Sequence, residues 1–324
     1  MLEVGATAGC CINYPLSTIH YPLSTLMTDF TGEIAALTAA LLWAVSSVVY
    51  GILGQEIPPL QLNLGKGIAA IIFIVLTLLF LNSPLPRLDL IPVSFLLLSG
   101  IIGIGLGDTA FFTALNNLGA RRTLLIETLA PPMTALIALV FLQERLNYTA
   151  WLGIILTVSG VAWVISERNP DSEENKETSM KGIIWAVLAA VAQANGAVLS
   201  HFALIESNFN PLLSTLIRLI GGTIAVSCLL PFSNNPREHW QEQFKSKKLL
   251  LSILIAAFFS TYLGIWLQQT SLKFSLAGIA QTLLATSPLF VLPIVVFRGE
   301  TISWRAVLGA LIAVGGIGLL FILT

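Results

Sequence analysis

Charged residues are scarce in this sequence, and their scarcity sets the first limit on what the protein is. They make up 10% of the chain, whereas 56% of it is hydrophobic. An ordinary soluble domain carries about 25% charged residues, so a water-exposed surface cannot be built from this supply. The 16 basic and 17 acidic residues nearly cancel. Because a nucleic-acid binder needs a basic excess to neutralise phosphates, we expect no nucleic-acid partner.

Cysteine and histidine are also rare, with three of each. Neither set has the spacing of metal ligands or of a disulfide framework. These residues are Cys10, Cys11, Cys228, His20, His201 and His239. A Walker motif is absent as well, so ATP is not the direct energy source. The sequence therefore predicts no metal, no cofactor and no redox chemistry.

Long apolar runs fill most of the chain, and about 20 apolar residues are needed for a helix to cross a bilayer. We predict an all-α integral membrane protein with ten transmembrane helices. The predicted spans are 33–53, 61–82, 91–115, 123–142, 149–166, 182–203, 211–231, 249–270, 276–297 and 304–323.

The N-terminal extension 1–32 differs from these spans. It lacks the basic start of a signal peptide and contains the near-repeats Tyr14-Pro-Leu-Ser-Thr and Tyr21-Pro-Leu-Ser-Thr. We expect disorder here. Because Met27 comes directly before a polar lead-in to the first span, we hypothesise that it is the biological start.

Internal symmetry is the most informative feature of the sequence. A shift of 156 positions superposes six pairs, and a shift of 152 superposes three more in the earlier part of each half. The first set pairs Leu118 with Phe274, Pro132 with Pro288, Glu144 with Glu300, Leu152 with Leu308, Gly153 with Gly309 and Gly160 with Gly316. The second pairs Trp43 with Asn195, Pro59 with Pro211 and Lys66 with Arg218.

This symmetry predicts two repeats of five spans each, 33–166 and 182–324, joined by a charged linker, 167–181. Because five is odd, the second repeat enters the membrane in the opposite sense. Inverted repeats are typical of secondary transporters, whose halves rock about a site near the middle of the membrane.

The repeated motifs resemble the EamA family of the drug/metabolite transporter superfamily. They are Thr128-Leu-Ala-Pro-Pro132, Phe141-Leu-Gln-Glu144 and Leu152-Gly153 through Gly160, and again Ala285-Thr-Ser-Pro288, Phe297-Arg-Gly-Glu300 and Leu308-Gly309 through Gly316. The resemblance implies a ten-helix bundle with a central cavity and substrates such as amino acids, other metabolites or drugs. It also implies a basic residue near the start of the second helix of each half, and Lys66 and Arg218 match that place.

Four ionisable residues lie inside predicted spans, where a charge costs about 2.5–3.5 kcal/mol on insertion scales. Lys66 and Arg218 are candidates to hold the carboxylate of a substrate, with snorkelling or a packing ion pair as the alternative. Asp108 and Glu127 are candidate proton carriers, because burial favours the neutral form of a carboxylate; structural pairing is the alternative. Residue counting places Lys66 and Glu127 at one depth, which predicts an ion pair between them.

Aromatic and amide side chains complete the predicted substrate site, as is usual for small-molecule cavities. They are Trp43, Ser46, Gln193, Asn195, Tyr262, Trp266, Gln269 and Gln281. For the tryptophans, packing is an equal alternative. Pro132 and Pro288 are predicted hinges, and Glu144 and Glu300 are interpreted as structural residues at helix ends.

Two arguments about orientation conflict. Three basic residues fall on the side of the termini and eleven on the other side, and because cytoplasmic loops are rich in Lys and Arg, this count predicts that both termini are outside. The resemblance implies termini inside. We prefer the charge count because it comes from this sequence.

We expect a secondary carrier, an exporter of a small amphipathic metabolite such as an amino acid, in a prokaryotic plasma membrane. Its expected partners are the small-molecule substrate and the lipid bilayer, and a homodimer is left open. One alternative is a non-transporting scaffold or sensor. Another is an intramembrane aspartic protease, suggested by Gly105-Leu-Gly-Asp108, but no second aspartate is present in a span to complete the catalytic pair.

Overall fold

The computed structural model describes residues 30–81, 88–166, 180–232, 247–297 and 303–322. Within these ranges the chain is helical and contains no strand. Helix α1 begins at Thr31, so the last residues of the predicted extension already belong to the first helix. The rest of the extension, including Met27, lies outside the described residues.

The first half contains seven helices and one π-helical segment. These are α1 (Thr31–Glu56), α2 (Pro59–Phe80), α3 (Leu90–Ser99), the first π segment (Gly100–Asp108), α4 (Thr109–Leu118), α5 (Ala120–Glu127), α6 (Ala130–Phe141) and α7 (Tyr148–Ser166). Gly119, at a φ of 81°, separates α4 from α5, a backbone conformation that glycine adopts without strain.

The second half repeats this order among the described residues. Its elements are α8 (Met180–Ile205), α9 (Pro211–Leu229) with a short 3-10 turn (Leu230–Phe232), α10 (Lys247–Ala256), the second π segment (Ala257–Leu263), α11 (Gly264–Phe274), α12 (Ala277–Leu284), α13 (Ser287–Phe297) and α14 (Trp304–Ile322). Both halves therefore carry a π segment in the third helical stretch and a break in the fourth.

Among the described residues, eight helical stretches are long and apolar enough to cross a membrane, and shorter apolar segments, Thr31–Ser46 within α1 and Ala277–Pro293 within α12 and α13, accompany them. The prediction of a helical multi-pass membrane protein is confirmed. The count of ten crossings stays a prediction, because eight of the described stretches meet the length and hydropathy that a span requires.

Proline and polar caps explain several helix starts. Pro59 and Pro211 occupy the first position of α2 and α9, where the missing backbone N–H costs nothing. The side chain of Asn210 accepts a hydrogen bond from the Leu212 backbone N–H at 3.0 Å, and Asn147 accepts one from Ala150 at 2.7 Å. These are standard N-terminal caps.

The two halves meet through reciprocal glycine contacts between α7 and α14. A methyl group on Gly160 would lie 2.5 Å from both the Gly309 carbonyl oxygen and the Ala313 nitrogen. A methyl on Gly316 would lie 2.5 Å from the Thr157 nitrogen and 2.8 Å from the Gly153 carbonyl oxygen. The offset of 156 exchanges one set of contacts with the other. Close approach through small residues is the usual packing device in bilayers.

The same contacts show that α7 and α14 run antiparallel. Near the start of α7, Gly153 packs on Leu320. Near its end, Val164 packs on Gly309, eleven positions earlier in α14 than Leu320. The last helix of one half therefore opposes the direction of its counterpart.

Two adjacent glycines of α14 provide a matched test of this packing. Gly316 is packed against α7, whereas a side chain on Gly315 would enter open space. We expect Gly316→Leu to destabilise the protein by about 1–3 kcal/mol or more through overpacking, and Gly315→Leu to leave stability unchanged. Thermal unfolding in detergent, followed by size-exclusion chromatography, measures both. Equal midpoints for the two variants would contradict the α7–α14 interface.

Candidate functional site

A cavity of about 480 Å³ lies between the two halves. This size fits a small molecule. Its walls come from α1, α2, both π segments, α4, the broken stretches α5–α6 and α12–α13, and α8, α9 and α11. The cavity extends from Arg218, Gln268 and Gln281 in the middle of the bundle to Leu115 and Leu124 near the ends of α4 and α5.

Lys66 lines this cavity as part of an ion pair. Its Nζ lies 2.5 Å from Asp108 Oδ2, and the two side chains are 8% and 22% exposed. The ammonium also lies 5.0 Å from the centre of the Phe112 ring, within cation–π range. The prediction that Lys66 pairs with Glu127 was wrong. Residue counting estimates depth along a helix but not rotation about it, and Asp108, at the end of the first π segment, faces α2.

Arg218 is more deeply buried, with 1% of the residue exposed. Its Nη1 donates hydrogen bonds to Gln268 Oε1 at 3.0 Å and Gln269 Oε1 at 3.2 Å. Its Nε has no hydrogen-bond partner. No carboxylate within the described ranges forms an ion pair with it. The guanidinium is therefore buried inside the bundle. Its hydrogen bonds go to neutral amides, and it also interacts electrostatically with Asp108.

Both π segments border the cavity and expose a backbone carbonyl that a side chain then satisfies. Asn63 donates to the Ile104 carbonyl at 2.8 Å, and the Trp43 indole donates to the Ser260 carbonyl at 2.9 Å. π-bulges are frequent at functional sites. The sequence analysis missed them, although the glycine-rich run Gly100–Gly107 marks the first. The Trp43 ring therefore lines the cavity, but its indole N–H is already bonded to the Ser260 carbonyl.

The fourth helical stretch of each half is broken beside the cavity. The hydroxyl of Thr128 donates to the Leu125 carbonyl at 2.7 Å, and that of Thr286 donates to the Leu283 carbonyl at 2.6 Å. Pro131 and Pro288 are each the second residue of the next helix, and both line the cavity. Discontinuous helices of this kind surround the substrate site in many transporters.

These positions revise the proline pairing. By place in the fold, the counterpart of Pro288 is Pro131, and Pro132, which the constant offset selected, does not line the cavity. The offset changes by one residue at the break, which the sequence alone does not reveal. The hinge role of Pro132 and Pro288 stays a prediction.

The cavity collects many of the predicted site residues, but not all of them. Those that line it are Trp43, Ser46, Lys66, Asp108, Glu127, Gln193, Arg218, Gln281 and Pro288. Lining residues that the sequence analysis did not single out include Tyr50, Ser260, Thr261 and Gln268. They carry no motif, and only the packing of α1 against the second π segment and α11 brings them to the cavity.

Four predicted site residues lie elsewhere. Asn195 donates to the Val191 carbonyl of its own helix at 2.8 Å. The Tyr262 hydroxyl is 2.9 Å from that of Thr77, and the Trp266 ring packs on Tyr262. Gln269 stands behind Arg218 and donates to Ser214 Oγ at 3.2 Å. It positions the guanidinium without facing the cavity.

Polar contacts link the two halves at the end of the bundle that we call the Glu144 end. The Glu144 carboxylate contacts His201 Nε2 and accepts a hydrogen bond from the Ala277 N–H at 3.2 Å. His201 Nδ1 contacts the Leu272 carbonyl. At the same turn, Ser275 Oγ lies 2.5 Å from Glu33 Oε1. Glu300, the sequence counterpart of Glu144, lies outside the described residues.

The Lys66–Asp108 pair gives a stability prediction. Lys66→Met leaves an unpaired carboxylate in the bundle, and breaking a buried pair costs about 3–5 kcal/mol. We expect the double variant Lys66→Met, Asp108→Leu to recover most of that loss, because both charges are then gone. Unfolding of the two single variants and the double variant in detergent measures the coupling. Additive effects of the single changes would show that the pair does not form.

A helical bundle with several membrane-length apolar stretches, built from two similar halves around a cavity that contains charged side chains, is the architecture of the class of membrane transporters. The chain belongs to the EamA-like transporter family, whose family model matches residues 30–166 and again residues 180–322. The family resemblance of the repeated motifs is thereby confirmed.

Similar proteins agree with this class. The uncharacterized transporter YdfC of Bacillus subtilis (strain 168) is 27% identical over 255 residues, which are 77% of this chain and 76% of that protein. Solute carrier family 35 member F6 of Mus musculus is 27% identical over 145 residues, 40% of this chain and 38% of that protein. A crystal structure is similar with a TM-score of 0.71 at 17% identity, over 90% of this chain and 97% of that chain, a likeness that concerns the fold alone.

Proposed function

We propose that the protein is a secondary transporter that exports a small amphipathic metabolite, such as an amino acid. It works by alternating access between two inverted five-helix repeats, and Arg218 binds an anionic group of the substrate. The observation that carries this proposal is a fully buried guanidinium that forms no close ion pair with a described carboxylate, on the wall of a cavity between the halves. A buried unpaired charge is costly, and an anionic substrate offsets that cost.

The antiparallel contact of α7 with α14 supports the inverted arrangement. A reciprocal contact between counterpart helices that run in opposite directions is expected of repeats related by a two-fold axis in the membrane plane. If Thr31–Ser46 and Ala277–Pro293 also cross, the number of spans is ten. The cavity is then bounded on opposite sides by the two broken stretches, and the halves can rock about it.

The direction of transport is proposed from the basic residues. Arg122, Lys181, Lys247 and Arg305 begin α5, α8, α10 and α14 at the end opposite Glu144. The positive-inside rule places that end in the cytoplasm. The cavity extends toward it, so this conformation is one in which an exporter in a prokaryotic plasma membrane loads its substrate.

Lys66 has a different part in this proposal from that of Arg218. Because Asp108 already neutralises it, Lys66 is less available to a substrate anion. Asp108 and Glu127 remain the proposed proton-coupling groups, since both line the cavity. An intramembrane protease is disfavoured by the Lys66–Asp108 pair, since catalysis there needs two carboxylates that share a proton.

A transport assay tests the function and separates it from that of a scaffold or sensor. Metabolite profiling of cells with and without the protein identifies a candidate solute, and counterflow of that solute is then measured in proteoliposomes. We expect saturable counterflow from the wild type. We expect a roughly 10- to 150-fold loss for Arg218→Ala, because a hydrogen bond to a charged group contributes about 1.5–3 kcal/mol.

Asn195→Ala is the matched control, because Asn195 bonds only within its own helix. It should transport like the wild type. Full counterflow by both Arg218→Ala and Lys66→Ala would remove the proposed site. An absence of counterflow for every solute that differs in the profile would favour the scaffold or sensor.

The contacts at the Glu144 end give a second functional prediction. Gln281 lines the cavity four residues from Ala277, so in a cysteine-free background a Gln281→Cys variant reports access to the cavity. We expect an impermeant thiol reagent added at the Glu144 end to label it slowly. Glu144→Ala removes the contacts to His201 and Ala277, and labelling from that end should then become several-fold faster.

Glu206→Ala is the control, since Glu206 is an exposed carboxylate at the same end of the bundle. It should label like the parent. Equal labelling rates for the Glu144→Ala and Glu206→Ala variants would contradict a closing role for Glu144.

A further inference from the structure

The outer face of the α7–α14 contact carries a polar patch. The exposed side chains of these two helices are mainly apolar, as expected of a surface that meets lipid tails. They include Leu152, Ile155, Leu308, Leu311 and Val314. Beyond the start of α7, the exposed Ser and Arg side chains instead lie around one furrow between the helices, which we call the Arg305 furrow. It is lined by Ser159, Ala162, Trp163, Ser166 and Arg305.

The Arg305 furrow lies where lipid headgroups are expected. Ser166 ends α7 and Arg305 lies at the start of α14, so the two antiparallel helices reach the same membrane surface there. Trp163 is 46% exposed, and tryptophan is enriched at the level of the headgroups. Ser159 lies one residue short of two helical turns before Ser166, about 10 Å deeper at 1.5 Å per residue. The furrow therefore runs from the headgroups toward the lipid tails.

Arg305 is a cation without a counter-ion in the described part of the chain. It is exposed and takes part in none of the close charge contacts found there. It is the second residue of α14, so it stands at the positive end of the helix dipole, where a basic side chain is disfavoured. An anion offsets both features, and a guanidinium binds a phosphate group through two parallel hydrogen bonds.

The lining also distinguishes between kinds of phosphate headgroup. It contains no acidic residue among those described. A zwitterionic headgroup brings its own cation close to Arg305, and the furrow offers no carboxylate to receive that cation. A headgroup with a net negative charge has no such conflict.

The deeper part of the furrow suits the remainder of a phospholipid. The ester groups below the phosphate carry carbonyl acceptors, and the Ser159 hydroxyl is a donor at that depth. Ile155 and Leu152 follow one and two helical turns further on the same face of α7. They are 57% and 48% exposed, so they provide an apolar surface for an acyl chain.

We propose that the Arg305 furrow is a binding site for an anionic phospholipid. Arg305 binds the phosphate, Ser159 donates a hydrogen bond to an ester carbonyl, and an acyl chain lies on Ile155 and Leu152. Basic pockets between transmembrane helices bind anionic headgroups in this way. Because α7 belongs to the first half and α14 to the second, the bound lipid contacts both halves. The proposal depends neither on the transported solute nor on the direction of transport.

Native mass spectrometry of the purified full-length protein tests this site. The probes are phosphatidylglycerol and phosphatidylcholine with the same palmitoyl and oleoyl chains. We expect the wild type to bind the first phosphatidylglycerol about tenfold more tightly than the first phosphatidylcholine, near the lower end of what a charged hydrogen bond contributes. This preference should disappear in Arg305→Gln, whereas Arg305→Lys, which keeps the charge, should retain part of it.

Two further variants separate the contacts. Lys181→Gln is the matched control, because Lys181 is an exposed basic residue at the start of α8, at the same end of the bundle but outside the furrow. It should keep the full preference. Ser159→Ala should weaken both lipids by a similar factor, roughly two- to tenfold, since both carry the ester groups. Thermal unfolding without added lipid verifies that each variant is folded.

The proposal is overturned if the wild type shows no preference for phosphatidylglycerol or if Arg305→Gln keeps that preference. An equal loss in Lys181→Gln would also overturn it, because the preference would then belong to the overall charge of that surface. Inorganic phosphate in large molar excess distinguishes a lipid site from a site for free phosphate. It should leave the bound phosphatidylglycerol in place, and displacement of the lipid by phosphate would contradict the proposal.

Discussion

The cost of holding a charge away from water governs this structure. In a bundle surrounded by lipid, each charged side chain must find a partner or face a wet cavity. Lys66 and Asp108 meet the requirement with each other. Arg218 forms no close ion pair; it donates to the side-chain oxygens of two glutamines and interacts electrostatically with Asp108. All three side chains line the cavity, so the few charges that the sequence places inside its apolar stretches mark the site.

Packing of small residues and polar contacts between the halves act at different places. The reciprocal glycines of α7 and α14 bring two backbones together with little freedom to vary, which suits a fixed interface. The contacts of Glu144 with His201 and Ala277 instead join long side chains and a helix start across the halves. Hydrogen bonds of that kind can be exchanged for water more readily than interlocked backbones can separate. The first contact is therefore the harder of the two to separate.

Sequence reasoning succeeded for features that depend only on position along the chain. Hydropathy located the apolar segments, and a constant offset matched Lys66 with Arg218, which the structure places on one cavity wall. It failed where the result depends on rotation about a helix axis or on a one-residue change in the alignment of the two halves. Asp108, not Glu127, reaches Lys66, and Pro131, not Pro132, is the counterpart of Pro288 by position. A π segment or a helix break rotates every later side chain of its stretch about the helix axis, and composition does not report that rotation.

The sequence by itself determined the membrane environment, the helical class and the duplication, because these depend on the length and order of apolar runs. Only the tertiary structure decided which polar groups remain without partners. Gln268 carries no motif, yet it supports Arg218 and lines the cavity; Asn195 was expected there and bonds within its own helix instead. Whether a buried polar atom is satisfied depends on neighbours distant in sequence, and that information appears only when the helices pack.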